Sequence, residues 1–164
     1  MGQRRIAREG ALQILYQLEF DLPGVEAAVA SFWKKKRGTA EAKEYSRWLV
    51  EGISAHREEV DAAIQAVSEH WRIARMALVD RNILRLAAFE LLHGRSIAPA
   101  IVINEAIEIA KKYSGPEAAV FVNGILDALR KKIHAGPAPD QEVKNARHDK
   151  RETQGKAVRR RRKV

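Results

Sequence analysis

Apolar residues recur at three- and four-residue spacing over most of the first 133 positions of this chain, which is the period of helices packed on one face. From Arg4 to Phe20, Ala7, Ala11, Ile14, Leu15 and Leu18 fall on one side at about 100° per residue. Asp21 to Gly24, with Pro23, breaks that helix, and a second runs to about Lys36. Thr39, with Glu41 and Glu44 after it, starts a third helix that buries Trp48, Leu49, Gly52 and Ile53. A break near His56 separates it from a stripe of Val60, Ala63, Ile64 and Val67. A short connector through Trp71, Ile73, Met76 and Val79 leads to Asp80, which suits a helix start as cap and as negative charge beside the dipole.

The segment from Asp80 to Gly94 is apolar nearly all round, so it belongs at the centre of a bundle. Gly94 suits its end, and Pro99 suits the first turn of the next helix, whose stripe is Ile103, Ala106, Ile107 and Ala110. Tyr113 to Pro116 is the last connector, followed by Phe121, Ile125, Leu129 and Ile133 at every fourth residue. The fold expected is all-α, a compact bundle of about six to seven helices over residues 1–133. Three further expectations follow. The tryptophans are read as core anchors in preference to base-stacking platforms, because aromatics carry large burial energies. Gly124, inside a helix, packs closely against a neighbour to offset its cost of about 1 kcal/mol. Asn104, Glu105 and Asn123, polar groups within apolar stripes, cap or bridge helices.

From His134 onward the pattern stops. Leu, Ile, Phe, Met, Trp and Tyr are absent from 135–164. Such a segment cannot bury enough surface to offset the entropy of ordering and is expected to be a disordered basic tail. Residues 134–164 hold ten Lys and Arg against four Asp and Glu, so +6 of the net +9 lies there; twenty against seventeen leave +3 on the rest. That balance favours polyanionic partners, and the Arg159–Lys163 block has two readings, attraction for RNA without reading its sequence or a merely solubilising end.

The chemistry of the first helix changes the picture further. Arg4, Arg5 and Arg8 crowd its first turns, where a cation costs about a few tenths of a kcal/mol against the helix dipole. Something outside the helix must compensate. Free amides, the dipole and converging guanidiniums form an anion site for which a phosphate is the natural occupant. Tyr16 lies almost in line with Arg5, about 16 Å along the helix at ~1.5 Å per residue, where it could stack on an unpaired base. Spacing alone leaves open the commoner alternative, a solvated basic helix end with a surface tyrosine. The run Lys34 to Arg37 complements the end of the second helix, with a secondary phosphate contact as the other reading.

Four runs in one register, RRIAREGALQILYQLEF, DRNILRLAAFELL, VINEAIEIAKKY and FVNGILDAL, closely resemble the NusB family of bacterial transcription antitermination factors, over roughly residues 4 to 132. The resemblance implies that Arg4, Arg5, Arg8 and Tyr16 bind RNA, with a second RNA patch at Glu117 and Phe121. It implies that Asp80 belongs to the face that binds NusE, a ribosomal small-subunit protein. The function implied is binding of boxA RNA in ribosomal RNA leader transcripts together with NusE, in a complex with RNA polymerase and other Nus factors. A homo-oligomer is compatible with it.

Other chemistry finds no support. With no cysteine, disulfides, thiolate metal sites and cysteine nucleophiles are excluded. No P-loop, dinucleotide turn, HExxH or GxSxG is present, and His56, His70, His93, His134 and His148 show no ligand spacing. An enzyme, a cofactor and a resident metal are therefore not expected. No apolar run is long enough for a membrane span and no signal-peptide core follows the first arginines, so the protein is expected in the cytoplasm. Two alternatives remain: the NusB-like domain of an RNA cytosine methyltransferase, for which no methyl-donor domain follows here, and a helical adaptor that binds protein only.

Overall fold

A computed structural model of the protein describes residues 2–20, 24–94 and 96–135; the basic tail beyond 135 lies outside them. Among the described residues there are seven α-helices, one 3-10 turn and no strand. They are α1 (Gln3–Leu18), α2 (Val25–Lys35), α3 (Ala40–Ala55), α4 (Arg57–Ala66), α5 (Leu78–His93), α6 (Pro99–Tyr113) and α7 (Pro116–Ala135), with the 3-10 turn Ile73–Arg75 between α4 and α5.

The stops and starts have local causes. Thr39 caps α3 by accepting a hydrogen bond from the Ala42 amide at 3.2 Å. His56 ends α3 and opens α4 at a non-helical φ of −114°. Pro99 occupies the first turn of α6, and Lys34 and Lys35 sit in the last turn of α2, where its dipole favours them. The corner after α6 is closed by the Ser114 and Gly115 amides, which both donate to the Ala110 carbonyl at 2.9 Å. Gly115 holds φ +102° there, a conformation that side chains disfavour.

Helix α5 is the axis, as its composition predicts: every residue from Asn82 to Glu90 is buried, and α1, α3, α4 and α6 pack around it. Leu12, Ile14, Leu15, Leu49, Ile53, Ile64, Leu84, Phe89, Ile109, Val122 and Leu126 form one continuous core. Ion pairs tie α1 to this axis at both ends. Near its start Arg8 meets Glu90; near its close Glu19 accepts from Arg81 at 3.2 Å and Arg85 at 3.1 Å, and Arg85 also holds Asp61 of α4 through two bonds of 2.8 and 2.9 Å.

Several expectations are corrected. Trp33 is an anchor, seated against Gly10 and Gly38, where an added Cβ would approach its ring to 2.8 and 2.6 Å. Trp48 is more than a third exposed, however, and Trp71, in the bend between α4 and the 3-10 turn, is 61% exposed. Gly124 has open space where its side chain would be and Asn123 is exposed, so neither makes a helix contact there. Asn104 is likewise exposed. Asp80 sits in the third position of α5 and does not cap it; Ala77 holds the capping position.

Candidate nucleic-acid interface

Helix α1 begins with Gly2 at its N-cap, no side-chain cap and no acid in its first turn, so its leading amides and dipole face outward. The three arginines on this tip have three different environments. Arg4 is exposed and lies 4.6 Å over the Tyr45 ring. Arg5, half-buried, grips Glu105 of α6 in a bidentate pair at 2.7 and 2.9 Å. That hydrogen bond raises the pKa of Arg5 and holds the Glu105 carboxyl below its usual range.

Arg8 is a different case. It is buried with 4% exposure, and its Nε and one terminal nitrogen bond Glu90 at 2.9–3.1 Å, while Glu90 itself is 1% exposed. Tyr45 donates its hydroxyl to the same carboxylate. Burial disfavours the Arg8 charge, but the hydrogen bonds and attraction from Glu90 outweigh it, and its pKa lies above the ordinary value. Burial first, and the neighbouring Glu90 second, push the Tyr45 phenol well above its usual range. Arg8 therefore differs from the phosphate contact expected of it in one respect: Glu90 matches its charge inside the protein, and it reaches the tip groove only at its edge. The compensation demanded by the arginine cluster comes in large part from Glu90 and Glu105, the latter bridging helices as its place in an apolar stripe suggests.

What remains open at the tip is a groove of about 590 Å³ bounded by Gly2, Arg4, Arg5, Arg8, Glu105 and the Ser96–Ala98 segment, together with half-exposed Ile101. Helix α6 also starts here, without a side-chain cap or an acid in its first turn. Two helix N-termini and the Arg4 guanidinium therefore line one concavity, a setting that attracts anions.

From this groove a polar seam runs along α1 and α6. Arg5 meets Glu105, then Lys112 donates to Glu9 at 2.9 Å, then Gln13 donates to the Tyr113 hydroxyl at 3.2 Å. Glu9 is therefore buried beneath Lys112, although projection puts it near the exposed face. At the far end Tyr16 is 43% exposed and borders a second groove, about 390 Å³, with Leu12, Gln17, Phe32, Val79 and Tyr113. Tyr16 and Arg5 thus lie at opposite ends of one seam.

Glu117 and Phe121 are not brought to the arginines. They line a third groove of about 470 Å³ with Trp71, Arg75, Met76, Asp80 and Ser114, and Phe121 stacks edge-on against Trp71 at 5.8 Å. Asp80 accepts from the Ser114 hydroxyl at 2.6 Å. The residues singled out for RNA and for protein therefore share this cavity, which adjoins the Tyr16 groove through Val79–Asp80 and Tyr113–Ser114. Tyr45 and Glu90 carry no functional reading from sequence, and Trp71 reads there as core in preference to a base-stacking platform. A carboxylate within the apolar run Leu86–Leu92 was the available signal for Glu90, since such a group must find a buried cation.

Comparison with known proteins converges on one assignment. The sequence matches the NusB family over residues 5–131. It is 45% identical over 134 residues to the transcription antitermination protein NusB of Syntrophus aciditrophicus (strain SB), covering 82% of this chain and 83% of that protein. Against the NusB of Anaeromyxobacter dehalogenans (strain 2CP-1) it is 47% identical over 129 residues, covering 78% and 90%. The fold matches T. maritima NusB with a TM-score of 0.71 at 34% identity, covering 88% of this chain and 98% of that one. It also matches a chain in the crystal structure of the antitermination factors NusB and NusE in complex with dsRNA, with a TM-score of 0.72 at 32% identity, covering 79% and 97%. Helix order, buried α5 axis, arginine-rich α1 and sequence agreement together show that this chain belongs to the NusB family.

Proposed function

We propose that the protein is a transcription antitermination factor that binds boxA RNA of ribosomal RNA leader transcripts in the cytoplasm, together with NusE, and joins RNA polymerase and other Nus factors without any covalent step. The observation that carries the proposal is the anion-attracting tip, where exposed Arg4, the outer edge of Arg5 and two uncapped helix starts face one groove. A phosphate held there leaves the strand to follow the α1–α6 seam, past Lys112, to the exposed ring of Tyr16, a stacking surface for an unpaired base. Arg8 acts as a positioning residue that fixes the tip through Glu90. The domain that does this spans 1–133, and the tail of 134–164 adds attraction that does not depend on sequence.

The third groove suits the protein partner better than a phosphate backbone. Asp80 and Glu117 would repel phosphates, whereas exposed Trp71, half-buried Phe121 and two carboxylates fit a basic, partly apolar protein surface such as we assign to NusE. Glu117, at its edge, can still accept hydrogen bonds from base amino groups of a passing strand.

The test is a titration of the full chain with boxA and scrambled RNA at several salt concentrations, with and without NusE. Arg4→Ala together with Arg5→Ala should weaken boxA binding and flatten the log–log salt slope by about 0.7 for every phosphate no longer neutralised. Because the tail is present in both proteins, an unchanged affinity and slope would remove RNA from the tip. Equal affinity for boxA and scrambled RNA in the presence of NusE would reduce the protein to a polyanion binder.

A further inference from the structure

The fold brings together three donor groups that the sequence keeps apart. His56, at the junction of α3 and α4, Glu59, in the first turn of α4, and His93, the last residue of α5, place one ligand atom each within 4.8 Å of the others. We propose that His56, Glu59 and His93 form a surface site for a divalent transition-metal ion of the zinc class, separate from the RNA and partner grooves.

Four observations carry this. The donor set, two imidazoles and a carboxylate, is one that zinc accepts in open sites, with water completing the shell. The His56 ring nitrogen Nδ1 lies 2.9 Å from the Gly52 carbonyl, which can only accept, so in the neutral ring this contact favours the proton on Nδ1 and leaves Nε2 free to ligate. A backbone carbonyl on the far nitrogen is the usual device that orients a ligating imidazole. His93 Nε2 lies 3.2 Å from Glu59, so two of the three donors already stand at the spacing of neighbouring ligands, about 3.4 Å for a tetrahedral ion with bonds near 2.0–2.1 Å. The two separations from His56, neither above 4.8 Å, are the ones that must shorten, and the donors are exposed or half-exposed.

The support beneath is rigid. The rings of His56 and His93 stand 4.6 Å apart, and Phe89 lies under both at 6.0 and 5.0 Å. Phe89 is buried, wedged where Gly52 has no side chain; any Cβ at Gly52 would collide with its ring. Gly52 thus does two things, accepting from His56 and admitting the ring that sets the spacing of the pair. A bound ion would take the place of the proton between His93 Nε2 and Glu59, that proton moving to Nδ1 or to solvent. It would fasten the α3–α4 junction to the end of α5, and so stabilise the folded chain by mass action.

The experiment is calorimetric titration of the full chain with zinc chloride, paired with cobalt(II) absorption as a probe of coordination. The expected result is one site per chain that weakens at least ten-fold in His56→Ala and in His93→Ala and is unchanged in His70→Ala, which removes an imidazole elsewhere. Glu59 is exposed, so Glu59→Gln should fold even if a histidine variant does not; zinc should raise the Tm of the parent protein and not of Glu59→Gln. An isotherm for His93→Ala and Glu59→Gln matching that of the parent, or no zinc binding by the parent at millimolar metal, would overturn the assignment.

Discussion

Two arginine–glutamate pairs, three residues apart on α1, show how the same chemistry serves different ends at different depths. At the rim, Arg5 holds Glu105 with both side chains in partial contact with water, at 33% and 19% exposure. One turn inward, Arg8 holds Glu90 with both side chains almost wholly out of water, at 5% and 1% exposure. A pair at the surface contributes little, because water competes for both ions. A buried pair is costly to assemble and more costly to break, because the survivor keeps its charge with nothing to meet it. The inner pair therefore sets where the helix tip stands, and the outer one leaves a guanidinium edge that a ligand can share.

The largest effect should come from breaking the inner pair. Arg8→Ala strands Glu90 and is expected to cost about 3–5 kcal/mol of stability by chemical denaturation. Replacing both partners by apolar residues, Arg8→Met with Glu90→Leu, should recover much of that; a double variant no more stable than Arg8→Ala would argue against a stranded charge. Tyr45→Phe comes next. It removes the hydroxyl donated to Glu90 and should cost about 1.5–3 kcal/mol, since the acceptor is charged. At the outer end of the seam, Tyr16→Ala should leave stability within about 0.5 kcal/mol, as surface changes do. It should lower boxA affinity by about 1–3 kcal/mol if a base stacks there; an unaltered affinity would return Tyr16 to plain surface. The smallest effect sits at the rim pair. Because Glu105 titrates below its ordinary value when folded, its contribution is present above the unfolded value and fades as pH falls through the folded one. Glu105→Gln should therefore flatten the acid limb of the stability curve slightly, and a steeper limb would contradict the sign.

The depth difference between the arginines was partly legible in the sequence. In projection Arg8 falls within about 20° of Leu15, a core residue, at ~100° per residue, so it belongs to the buried flank. Arg4 projects inward as well, yet it precedes the core's end and stays exposed, which a wheel cannot express because it has no axial limit. The helices themselves were readable because each carries its own period and breakers, as Thr39, His56 and Pro99 do. What joins them was not. Glu105 reaches Arg5 across 100 positions and Asp80 reaches Ser114 across 34, and periodicity has no term for such distances. The same blindness hid the convergence of His56, Glu59 and His93. Residue type misled where context overruled it: Trp71 is aromatic and lies on the surface, and Gly124 is small and has open space where a side chain would stand.

The corner at Gly115 carries a consequence for tolerance to change. Its left-handed φ faces open space, so a methyl group there would collide with nothing. Backbone torsion alone, through the twice-used Ala110 carbonyl, turns the chain at the point where Ser114 meets Asp80. An alanine there would be accommodated by volume and rejected by torsion, and its damage would surface as a misaligned rim between the two adjoining grooves, with the hydrophobic interior left intact.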